Sequence, residues 1–227
     1  MKTRILLITS LFLITSLFAQ DEPVTVTKLK KSDRVMIDLS YDLWQEVPSN
    51  ISLKSIQPGI SISSMQDYPI GNSNFAFAYG LGFSAHNMHS NGVITYDSLG
   101  VTEFVSLPND LKYKVNKFTL SYIDVPIEIR FRTKGVNPFK FYAGFKFGFL
   151  LQEHTKYSGD DPSTAGQQIK FKEFKHRNVM KYHFGPTVRI GYKWIGAFAS
   201  YTMTPVFEKD KGPQMYPISF GITLMPY

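Results

Sequence analysis

The sequence lacks cysteine, and its one long apolar run lies at the N-terminus. Without cysteine the chain has no disulfide framework and no thiolate for catalysis or metal binding. The apolar run, Ile5–Phe18, follows the basic residues Lys2 and Arg4 and is shorter than the roughly 20 residues that a spanning helix needs. It predicts a signal peptide over residues 1–19, cleaved after Ala19. No later stretch could span a membrane as a helix, so any insertion must use strands.

Alternation of apolar and small or charged residues recurs along the rest of the chain. Residues 75–85 read FAFAYGLGFSA, and residues 139–151 read FKFYAGFKFGFLL. Successive side chains of a strand point to opposite faces, so one face of each strand is aromatic and the other is small or charged. Lipid outside and a polar lumen inside satisfy both faces. The pattern therefore predicts a transmembrane β-barrel.

The fold expected from this pattern is all-β: an eight-stranded antiparallel up-and-down transmembrane β-barrel with a plugged polar lumen. The predicted strands are residues 34–44, 55–65, 75–86, 118–132, 139–152, 178–193, 196–207 and 215–225. The register of the last two is left open. Connections after the second, fourth and sixth strands are short, whereas loops 87–117 and 153–177 are long, as in barrels with short periplasmic turns. Residues 20–33 are predicted to be a periplasmic lead-in and residues 34–227 the barrel domain.

The inward and outward faces can be assigned from the same alternation. An eight-stranded barrel is narrow enough for side chains to fill it, so inward charges must be paired or hydrated. The predicted lumen charge network is Asp38, Asp42, Asp124, Glu128, Arg130, Arg132, Lys140, Lys146, Lys181, Arg189 and Lys193. The predicted lipid-facing residues are Phe75, Phe77, Tyr79, Phe83, Phe141, Phe145, Phe147, Phe149, Ile190, Tyr192, Phe220, Ile222 and Leu224. The predicted interface anchors are Tyr41, Trp44, Tyr192 and Trp194.

A small soluble barrel, such as a lipocalin, is the alternative fold. It would place the phenylalanines inside and expose the lysines to water at no cost. The signal peptide and the alternation of short turns with long loops count against it.

Residues 120–131, LSYIDVPIEIRF, resemble a motif of the PorT-like outer-membrane β-barrel family. The matching run is Tyr122 to Pro126, and a second matching run, FYAGFKFGFLL, follows after a turn. The resemblance implies an integral outer-membrane barrel. Some members of that family serve a protein-secretion machine, the type IX system, and many have no assigned activity. Pro126 lacks a backbone donor, so a bulge or a local break in the ladder is expected there.

Histidines are the main candidates for chemistry. His86 and His89 lie three apart but lack a suitably spaced third ligand, so we expect them at the polar rim of a surface loop rather than at a metal. His183 is predicted to point inward, near Glu128 or Tyr142, with no serine fixed beside it. We therefore predict no catalytic, metal or cofactor-binding residues, no cofactor and no enzymatic activity.

Export limits the partners. The formal charge is +7, or +5 without Lys2 and Arg4, and export separates the protein from nucleic acid. We attribute the surplus first to lysines that face the lumen and the periplasm; the alternative is attraction to anionic lipid headgroups. We predict export with a cleaved signal peptide to the outer membrane of a Gram-negative bacterium. The expected partners are outer-membrane lipid, the outer-membrane assembly machinery during insertion, and other outer-membrane or periplasmic proteins.

The predicted function is a structural or accessory role, in its most specific form as a subunit of an outer-membrane secretion or assembly complex. One alternative is a free-standing surface-binding barrel whose long loops capture a ligand. The loop aromatics that motivate it are Tyr96, Phe104, Tyr113, Tyr157, Phe171 and Phe174. A less favoured alternative is a barrel enzyme acting on lipid or peptide.

Overall fold

A computed structural model describes residues 33–161, 164 and 166–226. The predicted signal peptide and all of the predicted lead-in except Asp33 lie outside these residues. The described strands are β1 (Val35–Gln45), β2 (Pro58–Pro69), β3 (Phe75–His89), β4 (Gly92–Tyr96), β5 (Thr102–Ser106), β6 (Tyr113–Arg132), β7 (Phe139–Asp160), β8 (Gln168–Phe174), β9 (Tyr182–Tyr192), β10 (Ile195–Tyr201) and β11 (Tyr216–Leu224). Within those ranges no helix is long and apolar enough to cross a membrane.

Eight of these strands close into a barrel. β1, β2, β3, β6, β7, β9, β10 and β11 each pair antiparallel with the next, and β11 returns to β1 with Ile37 opposite Leu224. The predicted eight-stranded antiparallel barrel is therefore confirmed. Closure satisfies the edge donors and acceptors that an open sheet would expose.

The strand bounds near the C-terminal end differ from the prediction. β10 ends at Tyr201 rather than at 207, and β9 begins at Tyr182 rather than at 178. Pro205 has no backbone N–H to continue a ladder. The loop after β10 instead buries Val206 and Phe207 in an apolar cluster, which removes their apolar surface from water.

The ladder breaks at Pro126, as predicted. Pairing between β3 and β6 is interrupted between Tyr79–Ile127 and Gly82–Asp124, and the register is the same on both sides. A bulge lies elsewhere, in β7, where Leu150 pairs with Tyr122 but Gln152 pairs with Ser121, so that Leu151 is the extra residue. From this point onward, the side chains of β7 change phase.

The outer surface carries an apolar band. From Phe139 to Phe149, β7 rises about 25 Å along the barrel axis, for a rise of about 3.3 Å per residue and a tilt of about 40°. This matches the roughly 25 Å apolar band of membrane-spanning barrels. Every predicted lipid-facing side chain lies on this surface, with Leu224 half-buried there.

Trp44 does not belong to the outer surface. The prediction that it is an outward anchor is wrong, because its side chain is buried and packs in the barrel interior. It shares the phase of Asp38 and Asp42 on β1, so the alternation itself directs it inward.

Candidate functional site

One end of the lumen, beside the short turns, holds a cluster of cations. Arg130 and Arg132 on β6 and Lys140 on β7 point inward. The two carboxylate oxygens of Asp67 on β2 each lie 2.5 Å from an arginine, Oδ1 from Nη1 of Arg130 and Oδ2 from Nη1 of Arg132. Asp33 Oδ1 lies 2.6 Å from Lys140 Nζ. Because the carboxylates lie at hydrogen-bonding distance, the cations can be buried without an uncompensated charge.

Neither Asp33 nor Asp67 is in the predicted network. Asp33 is the last residue of the predicted lead-in, and its position inside the barrel depends on chain that precedes the first strand. Asp67 could have been found, because it shares the phase of the inward residues Ser63 and Met65 on β2. The predicted second strand ended at residue 65, too early to include it.

The middle of the lumen is bridged by Arg189 of β9. Its Nη2 donates to Asp38 Oδ2 of β1 at 2.7 Å, and its Nη1 donates to Glu128 Oε1 of β6. The other oxygen of Glu128 lies 2.8 Å from an Nη2 of Arg130. All four side chains are buried, so this chain of ion pairs fills the cross-section of the barrel.

Two histidines, each paired with a carboxylate, lie further along the lumen. His86 Nδ1 lies 2.9 Å from Asp42 Oδ2, and His183 Nε2 lies 2.8 Å from Asp124 Oδ1. The two rings are 6.4 Å apart between centroids. Gly148 leaves room for the second pair, because a Cβ there would collide with both His183 and Asp124.

Two small cavities flank His86. The first, of about 20 Å³, also touches Lys146 and Arg189, and the second, of about 10 Å³, also touches Tyr122 and His183. The larger has room for about one water molecule. Neither can admit a substrate to the histidines.

An apolar cluster closes the lumen at the end with the long loops. Ile94 and Phe104, which face each other across the β4–β5 hairpin, pack into it together with Phe118 and Phe207. The rings of Phe118 and Phe207 are stacked at 6.0 Å, and Phe104 meets Phe207 edge-on at 5.9 Å. The remaining members are Trp44, Ile51, Met88, Leu120, Tyr122, Val179, Val206 and Met215. The hairpin therefore forms a cap over the lumen, which we call the cap hairpin.

β6 and β7 continue beyond the apolar band, and β8 pairs with β7 there from His154–Phe174 to Asp160–Gln168. We call this three-stranded sheet, formed by residues 113–121, 152–160 and 168–174, the extension. Lys117 lies six residues beyond Ile123, the last lipid-facing residue of β6, which places it about 15 Å past the band at the same tilt.

A family model for the outer membrane protein beta-barrel domain matches residues 24–204. The chain belongs to this family. Membership places the protein in the outer membrane, whereas the resemblance to PorT-like barrels remains a resemblance. No curated protein matches the sequence. Among solved structures, this chain is similar to Ail, the attachment invasion locus protein of Yersinia pestis, in its complex with the heparin analogue sucrose octasulfate. The sequence identity is 12% and the TM-score is 0.30, and the match covers 84% of this chain and 96% of that chain.

Two lysines predicted for the lumen of this outer-membrane barrel lie elsewhere. Lys181 is exposed in the bend before β9, where its carbonyl accepts the N–H of Leu150. Lys193 occupies the turn after β9 with φ 57°, and its Nζ lies 5.5 Å from the ring centre of Tyr192. Both errors arise because the predicted sixth strand extended beyond the observed one at each end.

The histidines also differ from their predicted places. His86 is buried in the lumen rather than at a loop rim, because β3 extends to His89 and keeps His86 in phase with the inward Ser84. His183 points inward as expected, but its partner is Asp124, not Glu128 or Tyr142.

The loop aromatics divide into two groups. Phe104 and Tyr157 are buried, so they cannot meet a ligand as the sequence suggested. Tyr96, Phe171 and Phe174 are exposed, and Tyr113 is half-buried.

Proposed function

We propose that this outer-membrane barrel is a non-conducting, surface-binding protein, and that the tip of its cap hairpin is the binding surface. The observation that carries the proposal is a rigid, apolar tip above a filled lumen. The tip comprises Leu99 in the turn, which is 86% exposed, the exposed Tyr96 at the end of β4, and the exposed Val105 on β5. Long loops of such barrels face the outside, so this tip faces the extracellular medium.

The tip is held in one conformation by hydrogen bonds. Asp97 Oδ1 accepts the N–H groups of Leu99 and Val101, each at 2.8 Å. Asn178 Nδ2 donates to Gly100 O at 2.8 Å, and Tyr96 OH accepts the N–H of Arg177 at 3.0 Å. A preorganised loop loses less conformational entropy on binding than a free loop does. Exposed apolar groups do not help solubility, so their presence on such a loop favours a role in binding a partner.

The filled lumen argues against transport and catalysis. Arg130 and Lys140 are fully buried in the cross-section of the barrel, and the apolar cluster covers the far end. The cavities beside His86 and His183 are too small for a lipid or peptide. We therefore expect no stepwise conductance when the protein is placed in a planar bilayer, and no enzymatic activity.

The test of binding uses outer-membrane vesicles that carry the full chain, passed over immobilised extracellular-matrix proteins and polysaccharides. The variant L99D/V105D removes the apolar tip without touching the wall strands. Its control, Val136→Asp, changes an exposed valine in a turn at the opposite end. Binding by the wild type that is lost in L99D/V105D alone supports the proposal. If no surface retains the wild type, or if the double variant binds equally well, the tip is not a binding surface.

An accessory role in an outer-membrane complex is the second candidate. It is favoured by Val136 and Ile70, which are 78% and 49% exposed near the short turns that face the periplasm. Its test is affinity purification from native outer membranes, with a tag inserted in the connection between β7 and β8. Stoichiometric partners that disappear in Val136→Asp would support it, and recovery of the barrel alone would contradict it.

A further inference from the structure

Three lysines stand side by side on the extension. Lys117 of β6 pairs with Lys156 of β7, which pairs with Lys172 of β8, and His89 of β3 pairs with Lys117 on the other side. Residues directly opposite each other point to the same face, and neighbouring strands lie about 4.8 Å apart. The four basic side chains therefore form one transverse row about 15 Å long, which we call the basic row.

The basic row faces the membrane side of the sheet. Lys117 shares the phase of the lipid-facing Ile123 on β6. On β7 the earlier even-numbered lysines, Lys140 and Lys146, point inward, but the extra residue Leu151 reverses the phase and turns Lys156 outward. The row is thus a direct upward continuation of the lipid-facing wall.

The positive charge of the row is not compensated within the described chain. No ion pair found among the described residues includes Lys117, Lys156 or Lys172. Lys117 Nζ has only a neutral partner, Asn87 Oδ1, at 2.7 Å. Burial, together with the charges of Lys156 and Lys172, lowers the pKa of Lys117. Like charges placed opposite each other destabilise a sheet, so a multivalent anion would relieve the repulsion.

Charge and position together identify the anion. We propose that the basic row binds the phosphorylated headgroup of a glycolipid that stands beside the barrel in the outer leaflet. The proposal uses a face of the extension and not the cap-hairpin tip, so it goes beyond the proposed function and does not depend on it.

The height of the row selects a large headgroup. The interfacial layer of an ordinary bilayer adds only about 5–8 Å on each side of the hydrocarbon, whereas the row lies about 15 Å beyond the apolar band. A simple phospholipid phosphate is therefore too low. Phosphates mounted on sugars reach the row. The exposed Phe174 lies two residues closer to the membrane than Lys172, and its ring, 5.4 Å from that of His154, provides an apolar surface for the sugar.

The test measures lipid retained by the full-length protein. Wild type and K117Q/K156Q/K172Q are reconstituted into phosphatidylcholine vesicles containing a phosphorylated glycolipid or its dephosphorylated form, then extracted in mild detergent, and the co-purified glycolipid is quantified by mass spectrometry. The control K112Q/K134Q/K209Q removes the same charge from three exposed lysines outside the row. We expect the row variant to retain the phosphorylated form at least tenfold less than wild type and control, since each surface lysine contributes about fivefold.

Other results would overturn the proposal. These are equal retention by the row variant, equal loss in the control, and equal retention of the dephosphorylated form by the wild type. Complete displacement by the soluble phosphorylated oligosaccharide without acyl chains would assign the row to a free anion instead of a lipid. Should the triple variant fail to insert, Lys172→Gln on the exposed strand β8 replaces it, with a loss of about fivefold expected and no loss contradicting the proposal. L99D/V105D must retain the glycolipid, which separates this test from that of the hairpin tip.

Discussion

Replacement of Phe145 by arginine tests the lipid-facing band at its most sensitive point. Phe145 lies six residues after Phe139 and four before Phe149, which places it within about 3 Å of the middle of the outward stretch of β7. An arginine on the lipid face costs about 2–4 kcal/mol at mid-bilayer but only about 0–1 kcal/mol near the interface. Phe145→Arg should therefore lower the free energy of unfolding by about 2–4 kcal/mol, which reduces the folded-to-unfolded ratio at least about thirtyfold. Phe149→Arg, at the edge of the band, should cost no more than about 1 kcal/mol.

The assay is urea unfolding in phosphatidylcholine vesicles, followed by the fluorescence of the buried Trp44 and the exposed Trp194. Phe145→Leu is the control for loss of the ring, including its pairing with Phe147 at 5.8 Å. It keeps the surface apolar, so we expect a cost below about 1.5 kcal/mol. Equal costs for the two arginine variants, or a larger cost at Phe149, would refute the assigned depth of the band.

The remaining predictions concern the interior and the extension. Glu128→Leu leaves Arg189 with one carboxylate instead of two and should cost about 3–5 kcal/mol in the same urea assay; a cost below 1 kcal/mol would show that the bridge across the lumen is dispensable. Gly148→Ala places a methyl group against His183 and should cost about 1–3 kcal/mol, whereas an unchanged urea midpoint would contradict that packing. Burial and neighbouring basic groups lower the pKa of His154, so the folded state binds fewer protons than the unfolded state, and the stability that His154 contributes is lost as pH falls below about 6.5. His154→Gln should therefore flatten the decline in stability between about pH 7 and 5, and an unchanged slope would exclude this role. The basic groups that act on His154 are Lys172, Lys117, His176 and Lys156.

The closed barrel could be predicted because its faces depend on a period of two residues and not on tertiary detail. In β3 every second residue from Phe75 to Phe83 is apolar and exposed, while Ala76, Ala78 and Ser84 are buried. Lipid on one side and a narrow lumen on the other leave each side chain only two environments, so the alternation determines which one it occupies. The same rule would have placed His86 and Trp44 inside had it been applied to the ends of β3 and β1.

The cap could not be predicted in this way. Ile51, the hairpin residues Ile94 and Phe104, and Phe207 come from three separate loops and meet only above the barrel, where no wall imposes alternation. Their burial depends on which loops meet over the lumen, a long-range property of the chain. The loop sequences show apolar residues, but such residues fit an internal cap and an exposed binding surface equally well, and in the cap hairpin they serve both ends of one element.

The bulge at Leu151 shows why the charges of a barrel cannot be assigned by counting residues. Lys140, Lys146 and Lys156 all have even numbers on one continuous strand, so a strict period of two directs all three into the lumen. The single extra residue keeps the first two inside, where carboxylates can pair with them, and turns Lys156 outward beside Lys117. Deleting Leu151 removes the extra residue without moving the later pairs: Leu150 then precedes Gln152 directly, the alternation from Phe149 continues unbroken, and Lys156 stays on the outer face opposite Lys117. The shortened strand should therefore retain the glycolipid to the wild-type extent, provided that it still inserts, as judged by heat-modifiable gel migration. A loss as large as that of K117Q/K156Q/K172Q would mean that lipid binding depends on the bulge itself and not on the outward position of Lys156.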